Sequence, residues 1–368
     1  MGTFEDRATL AVVHRALPVP AFTVRETDRY LTISTQRLVL EYAKGKPFRR
    51  DTLLVVGTAA HTDLQPWTFG QQSRGNLLGT IRTLDGFDAV SLNCTQSPHI
   101  PDFEPLHCAW GLISTEGWAV LEDHGRPIMD SVQWFSPVLR NLDQIDMYLF
   151  AHGRDYRQAL RDYTQIGGQI PLLPRYASGS MFTRWYAFDA GDVRRTVDTF
   201  ASMALPLDVF IFDMNWHTKN AWTGYTWDRR LFPDPSAIQR WLKARGLRTG
   251  ANLHDAQGVN PWEAQAVAMA RATGAPPGRA IPLDLLNATY LRALEDVVLR
   301  PLEGPTGMDF WWIDWQQGQQ GLPGDGLNPT ILLNHLRATD HTRRKQNERA
   351  LILSRWGGMG NHRYQVGF

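Results

Sequence analysis

"MDFWWIDWQQGQQ", residues 308–320, decides how the rest of the chain is read. Six of its first eight residues are apolar: Met308, Phe310, Trp311, Trp312, Ile313 and Trp315. The other two are Asp309 and Asp314. A carboxylate left unpaired at the end of so apolar a run costs several kcal/mol. Its place there calls for a function or a structural partner.

The stretches on either side supply the context. From Arg175 on, strand-like runs alternate with helical ones. The strand candidates are 176–185, 207–216, 247–255, 308–315 and 349–356. The helix candidates between them are 191–204, 236–245, 261–272, 287–299 and 328–344. Such alternation implies a parallel sheet with crossover helices, either doubly wound or a (β/α)8 barrel. No Gly-x-Gly-x-x-Gly links a strand to a helix, which weakens the dinucleotide-binding version.

Residues 20–150 read differently, as short β-rich runs such as "AFTVRE" and "TLLVVGT" separated by turn residues such as "KGKP" and "EDHGRP". In "YLTISTQRLVLEY" the apolar parity changes along the run, which predicts two strands with a break near Thr35. Spacing of this kind predicts an antiparallel β-sandwich. A helical pattern over 153–168, with Tyr156, Ala159, Leu160 and Tyr163 on one face, leads to "PLLPR" at 171–175. The expected organisation is a sandwich domain over 1–152, a helical linker over 153–174 and a barrel over 175–368.

Composition narrows the function. Net charge is +1, and no basic block or aromatic-interleaved basic stripe points to nucleic acid. No apolar stretch reaches the roughly 18–20 residues of a membrane span. "MGTFEDRATL" lacks the form of a secretory signal, so a cytoplasmic location is expected. The two cysteines, Cys94 and Cys108, fit buried thiols better than a disulfide framework. Trp is abundant, at 14 residues, and indoles suit both core packing and stacking on sugar rings.

Each strand of the second half is apolar until its C-terminal end and then turns polar: Arg184 and Trp185; Asp213, Asn215 and His217; His254 and Asp255; Asp314; Arg355. In a barrel these ends line one mouth. The eleven histidines give no His-x-His and no His-Glu-x-x-His, and "ASGSM" is not a nucleophile elbow. What remains is carboxylate chemistry among Arg, His and Trp, the toolkit for glycosidic bonds. No cofactor or metal is called for.

Several segments, in order, resemble glycoside hydrolase family 31. "FWWIDW" resembles its nucleophile strand, and "NLLGTIRTLDG" (76–86) and "GLISTEGWAVLED" (111–123) resemble its sandwich segments. "DVFIFDMNWH" (208–217) resembles the strand bearing its sugar-binding aspartate, and "LSRWGGMGNHRYQVGF" (353–368) the run before its acid/base motif. The resemblance spans roughly residues 25–368. It implies a β-sandwich followed by a (β/α)8 barrel, and retaining, exo-acting hydrolysis of α-linked sugars. Asp314 would be the nucleophile, Asp213 and Arg355 would bind hydroxyls on opposite sides of the sugar, and Trp312 would wall the pocket. His254 and Trp216 would add substrate contacts.

Two departures set further expectations. The family's acid/base aspartate follows a Phe-Ser-Gly type segment that is not reached by Phe368, and about five strand–helix units are counted where a barrel has eight. The chain therefore reads as an N-terminal fragment with an incomplete barrel, inactive alone. The loop "DWQQG" stands where common α-glucosidases of the family carry Asp-Met-Asn-Glu, which leaves glucose, galactose, N-acetylgalactosamine and xylose open. Gln316, Gln317 and Gly318 let the chain leave the strand and could reach sugar hydroxyls. Two rivals remain: an inactive carbohydrate-binding or scaffold protein on this fold, and a metal-dependent hydrolase using His217, His254 and Asp314. Oligomeric state is not legible. His61, Trp67 and Arg74 read as a surface loop, and Trp118 and Trp134 as sandwich core.

Overall fold

The structure, a computed structural model, describes residues 5–79, 95–96, 106–107, 110–129, 137–140, 144–315, 317, 329–345, 347–354, 357–364 and 366–367. Arg355, Trp134, Cys94, Cys108, Gln316 and Gly318 lie outside the described residues. The chain divides into two compact units, Met1–Asp6 with Ala11–His124 and Asn141–Gly168, and Arg7–Leu10 with Gly125–Arg140 and Gln169–Phe368.

The first unit is antiparallel. Strands β1 (Phe22–Glu26), β2 (Tyr30–Thr35), β3 (Leu38–Ala43), β4 (Leu53–Gly57) and β5 (Trp67–Thr68) form one sheet in chain order. The break near Thr35 is present: its hydroxyl oxygen accepts the Leu38 N–H at 3.0 Å as the chain turns from β2 into β3. One row runs across all five strands, Val24, Ile33, Leu40, Val55 and Trp67, in register. Downstream lie the short pair β6 (Thr95–Gln96) and β7 (Leu106–His107), then β8 (Trp118–Glu122). The pair β9 (Ile128–Met129) and β10 (Pro137–Val138) belongs to the second unit, and β11 (Met147–Ala151) pairs with β8. Val55, Leu64, Trp67 and Trp118 bury together with side chains of β3, β4, β8 and β11. His61 and Trp67, expected on a surface loop, are buried instead; only Arg74 of that trio is exposed. Trp67 sits on a strand whose register turns its indole into the apolar cluster. Helix α1 (Tyr156–Gly167) is capped by Asp155, whose carboxylate accepts the Gln158 N–H.

The second unit carries a six-stranded parallel sheet, β12 (Met181–Phe182), β13 (Val209–Phe212), β14 (Arg248–Leu253), β15 (Phe310–Ile313), β16 (Ile352–Ser354) and β17 (Val366–Gly367). Strand order equals chain order throughout. A doubly wound sheet reverses its order at a switch point, and a barrel does not. Helices α2 (Ala190–Ser202), α3 (Pro235–Ala244), α4 (Ala266–Thr273), α5 (Ala288–Ala293) and α6 (Pro329–Arg344) make the crossovers. The first expected strand, 176–185, shrinks to Met181–Phe182, because Arg175–Ser178 forms a 3-10 turn. Just past that turn the Asp208 carboxylate accepts the Ser180 N–H at 2.9 Å.

Both faces of the central strands are buried, which is why they read as unbroken apolar runs. Phe210, Phe212, Ala251, Leu253, Trp311 and Ile313 share a core with the helices. Residues of the other parity, Val209, Ile211, Phe310 and Trp312, form a second cluster with Leu351. Gly250 belongs to this inward row: a Cβ there would sit 2.5 Å from Cζ of Phe310. Burial of each such side chain contributes about 1.5–3 kcal/mol. Among the described residues no helix is long and apolar enough to cross a membrane.

Candidate active site

Period two carries the inward row past the ends of the strands. On β13 it passes from Val209 and Ile211 to Asp213. On β14 it runs from Gly250 to Asn252 and His254, and on β15 from Phe310 and Trp312 to Asp314. Register aligns Phe212 with Ala251, Asn252 with Trp312 and Leu253 with Ile313, so these ends lie side by side. Asp309, the other acid of the opening stretch, sits at the opposite end of β15, paired with Lys243 and Arg248 at 3.2 Å each.

Asp314 is 5% exposed and held through both carboxylate oxygens. Oδ1 accepts the Trp315 N–H at 2.9 Å, and Oδ2 accepts from Nδ2 of Asn252 at 3.2 Å. The same Nδ2 donates to Oδ1 of Asp213 at 3.1 Å. Asp213 also caps the turn Met214–Trp216, accepting the Met214 N–H at 2.7 Å. Trp315 takes the left-handed backbone region, φ +53°, which costs a non-glycine residue about 1–2 kcal/mol. The turn sends its indole to the edge of Trp222, ring centroids 6.2 Å apart.

His254 is 2% exposed, and Nε2 lies 3.5 Å from Oδ2 of Asp314. Neither ring nitrogen has a hydrogen-bond partner among the described residues. Its ring packs on the half-exposed Trp222 at 3.9 Å between centroids. Nearby His217 is pushed down to about 4, chiefly by burial; its contact with the Thr218 carbonyl acts the other way, and His254 adds to the depression. It is therefore a neutral imidazole at neutral pH. Among the described residues no set of three or more His, Cys, Asp or Glu side chains is placed to hold a metal ion.

The structure thus brings Asp213, His254, Trp312 and Asp314 onto one row. It does not bring Trp216 there: that indole is 1% exposed, lies in the helix-side core and donates to the Asn252 carbonyl at 2.9 Å. Gln317 is likewise occupied by the chain itself, donating to the Asp314 and Trp315 carbonyls and accepting the Asp255 N–H. Asp255, next to His254, has the opposite parity and pairs with Arg337 of α6. Trp185 is 74% exposed, and the Arg184 guanidinium lies over Tyr186.

The family model for the glycosyl hydrolases family 31 TIM-barrel domain matches residues 170–368. The chain belongs to glycosyl hydrolase family 31. Within the family, it is 22% identical over 326 residues to an alpha-xylosidase of Saccharolobus solfataricus, a match covering 81% of this chain and 42% of that protein. It is 35% identical over 104 residues to alpha-glucosidase 2 of Bacillus thermoamyloliquefaciens, covering 28% and 13% respectively. In fold it is similar to a family 31 dextranase of Flavobacterium johnsoniae, with a TM-score of 0.63 at 15% identity over 99% of this chain and 50% of that one. The chain thus spans half or less of the length of these proteins.

Two residues of this cluster escaped the sequence reading. Asn252 is the last residue but one of β14, where a lone polar residue carries no motif. Its parity with His254 was the available signal. Trp222 lies in a loop, and nothing in its neighbourhood marks it.

Proposed function

We propose that the protein acts as a retaining, exo-acting α-glycoside hydrolase whose nucleophile is Asp314. In this reading residues 1–152 serve as a β-sandwich, 153–174 as a linker and 175–368 as part of the (β/α)8 catalytic barrel. The observation that carries it is the placing of Asp314: a buried carboxylate at the C-terminal end of β15, on the inward row, with a donor on each oxygen. A low-dielectric wall of Trp312 and neighbouring indoles strengthens its attraction for the positive charge that builds on an anomeric carbon. Attack by one carboxylate oxygen forms the glycosyl-enzyme and breaks the bond to the leaving oxygen. Water then releases the sugar with net retention. Asp213 binds hydroxyls on the side of the sugar away from the nucleophile, and Arg355 those on the nearer side. His254, whose ring nitrogens have no hydrogen-bond partner among the described residues, offers one further hydrogen bond. An α-linked glucoside is the first-choice substrate, and the names of the relatives add α-xyloside as the leading competitor.

Trapping tests this without depending on the general acid, since fluoride leaves without protonation. The protein is incubated with 5-fluoro-α-glucosyl and 5-fluoro-α-xylosyl fluorides and digested. The expected result is one sugar mass added to the peptide holding Asp314, and no adduct in Asp314→Ala. A label on any other side chain overturns the assignment.

A further inference from the structure

We propose that Asn252 is a positioning residue of this site, its one buried amide nitrogen tying the carboxylates of Asp213 and Asp314 into a fixed pair. The inference rests on the reading of Asp314 as nucleophile. Asn252 sits on β14, the strand between the two that carry these acids. It is 1% exposed, and Nδ2 reaches Oδ1 of Asp213 at 3.1 Å and Oδ2 of Asp314 at 3.2 Å. Ionised carboxylates only accept hydrogen bonds, so they dictate which way the amide faces. The reverse orientation would place three acceptor oxygens together. Oδ1 of Asn252 is buried with no partner among the described residues, so no described group on that side competes to set the orientation. The backbone of Asn252 is fixed independently, its carbonyl accepting from the Trp216 indole at 2.9 Å.

Two consequences follow. Donors on both oxygens help to define the plane of the Asp314 carboxylate, and removal of the Asn252 donor takes away the one that holds Oδ2 from β14. The amide hydrogens also place partial positive charge between two acids that would otherwise repel. Among the described residues, His254 also faces this point, 3.5 Å from Asp314, with His217 beside it.

The test uses Asn252→Leu, close in size and without a donor, in the full-length protein. The rate of trapping by the fluoro-sugar should fall by about 10- to 100-fold, the scale of a small misplacement of reacting groups. The acidic limb of kcat/KM on an aryl α-glycoside should move to higher pH, because a donor to the charged carboxylate is gone. Asn252→Asp should be slower still. A structural role alone would lower the melting temperature and leave the trapping rate per folded molecule and the pH limb where they were; that result overturns the inference. Should the leucine variant not fold, Asn252→Ala is read by the same criteria. Wild-type labelling separates the two claims: an adduct away from Asp314 defeats the nucleophile assignment, whereas an adduct on Asp314 with an unaffected Asn252→Leu defeats only the role of Asn252.

Discussion

Arg337 grips Asp255 through two parallel hydrogen bonds, Nη1 to Oδ2 and Nη2 to Oδ1, each 2.9 Å long. Both side chains are fully buried. Asp255 directly follows His254, so this clamp fixes the end of β14 from behind while His254 faces the site. The Tyr225 hydroxyl donates to the same carboxylate at 2.8 Å.

Breaking one half of this pair leaves a buried charge without its partner. Arg337→Met is expected to cost about 3–5 kcal/mol of stability, and the double replacement with Asp255→Leu less than the two single losses added together. Denaturant unfolding of the three variants measures this. A cost within error of zero for Arg337→Met would remove the clamp from the account.

Glu295 lies 3.6 Å from Nε of the same arginine, in the π-helical turn Leu294–Leu299 that continues α5. Burial pushes its carboxyl up to about 8, against the pull of Arg337 and with the repulsion of Asp340, Glu303 and Asp255. A folded value raised above the unfolded one contributes stability that is complete below about 4.5 and lost as pH rises through about 8. The stability of the wild type relative to Glu295→Gln should therefore decline across pH 5–8. A difference independent of pH over that window would contradict the protonated state.

His217 works in the opposite sense. Its folded value of about 4 lies below its ordinary 6.5, so the stability it contributes is present above about 6.5 and lost as pH falls through 4. Gly224 packs against this ring: a Cβ there would lie 2.2 Å from Nδ1. Gly224→Ala is expected to displace the imidazole and to cost about 1–3 kcal/mol. His217→Leu should flatten the fall in stability between pH 6.5 and 4, which thermal melts across that range will show.

Asp213 and Asp314 share one donor and are assigned different work. Asp314→Asn should abolish turnover and trapping while leaving unfolding unchanged to within about 1 kcal/mol. Asp213→Asn should instead weaken transition-state binding by about 1.5–3 kcal/mol, the worth of a hydrogen bond to a charged group, or roughly 10- to 150-fold in kcat/KM. Steady-state kinetics on an aryl α-glycoside distinguish the two. Equal and complete loss in both variants would merge the roles.

Much of this was legible along the chain. The strands of the second unit are apolar on both faces, and the polar residues that end them mark the same end of each. That pattern put Asp213, His254 and Asp314 at corresponding strand ends and marked the helices α2 to α6, because period and composition are local properties. Boundaries were less legible: α4 starts at Ala266 and not at residue 261, and the first strand lost most of its length to a turn.

What only the tertiary structure decided is direction and company. Adjacent residues of a strand point to opposite faces, so His254 enters the site while Asp255 turns to Arg337, 82 positions away. Trp216, expected to add a substrate contact, is core, because the turn after Asp213 sends it to the helix side. Asn252 became a member of the site through the register of three strands, and register joins residues whose separation in sequence, 39 to Asp213 and 62 to Asp314, carries no periodic signal.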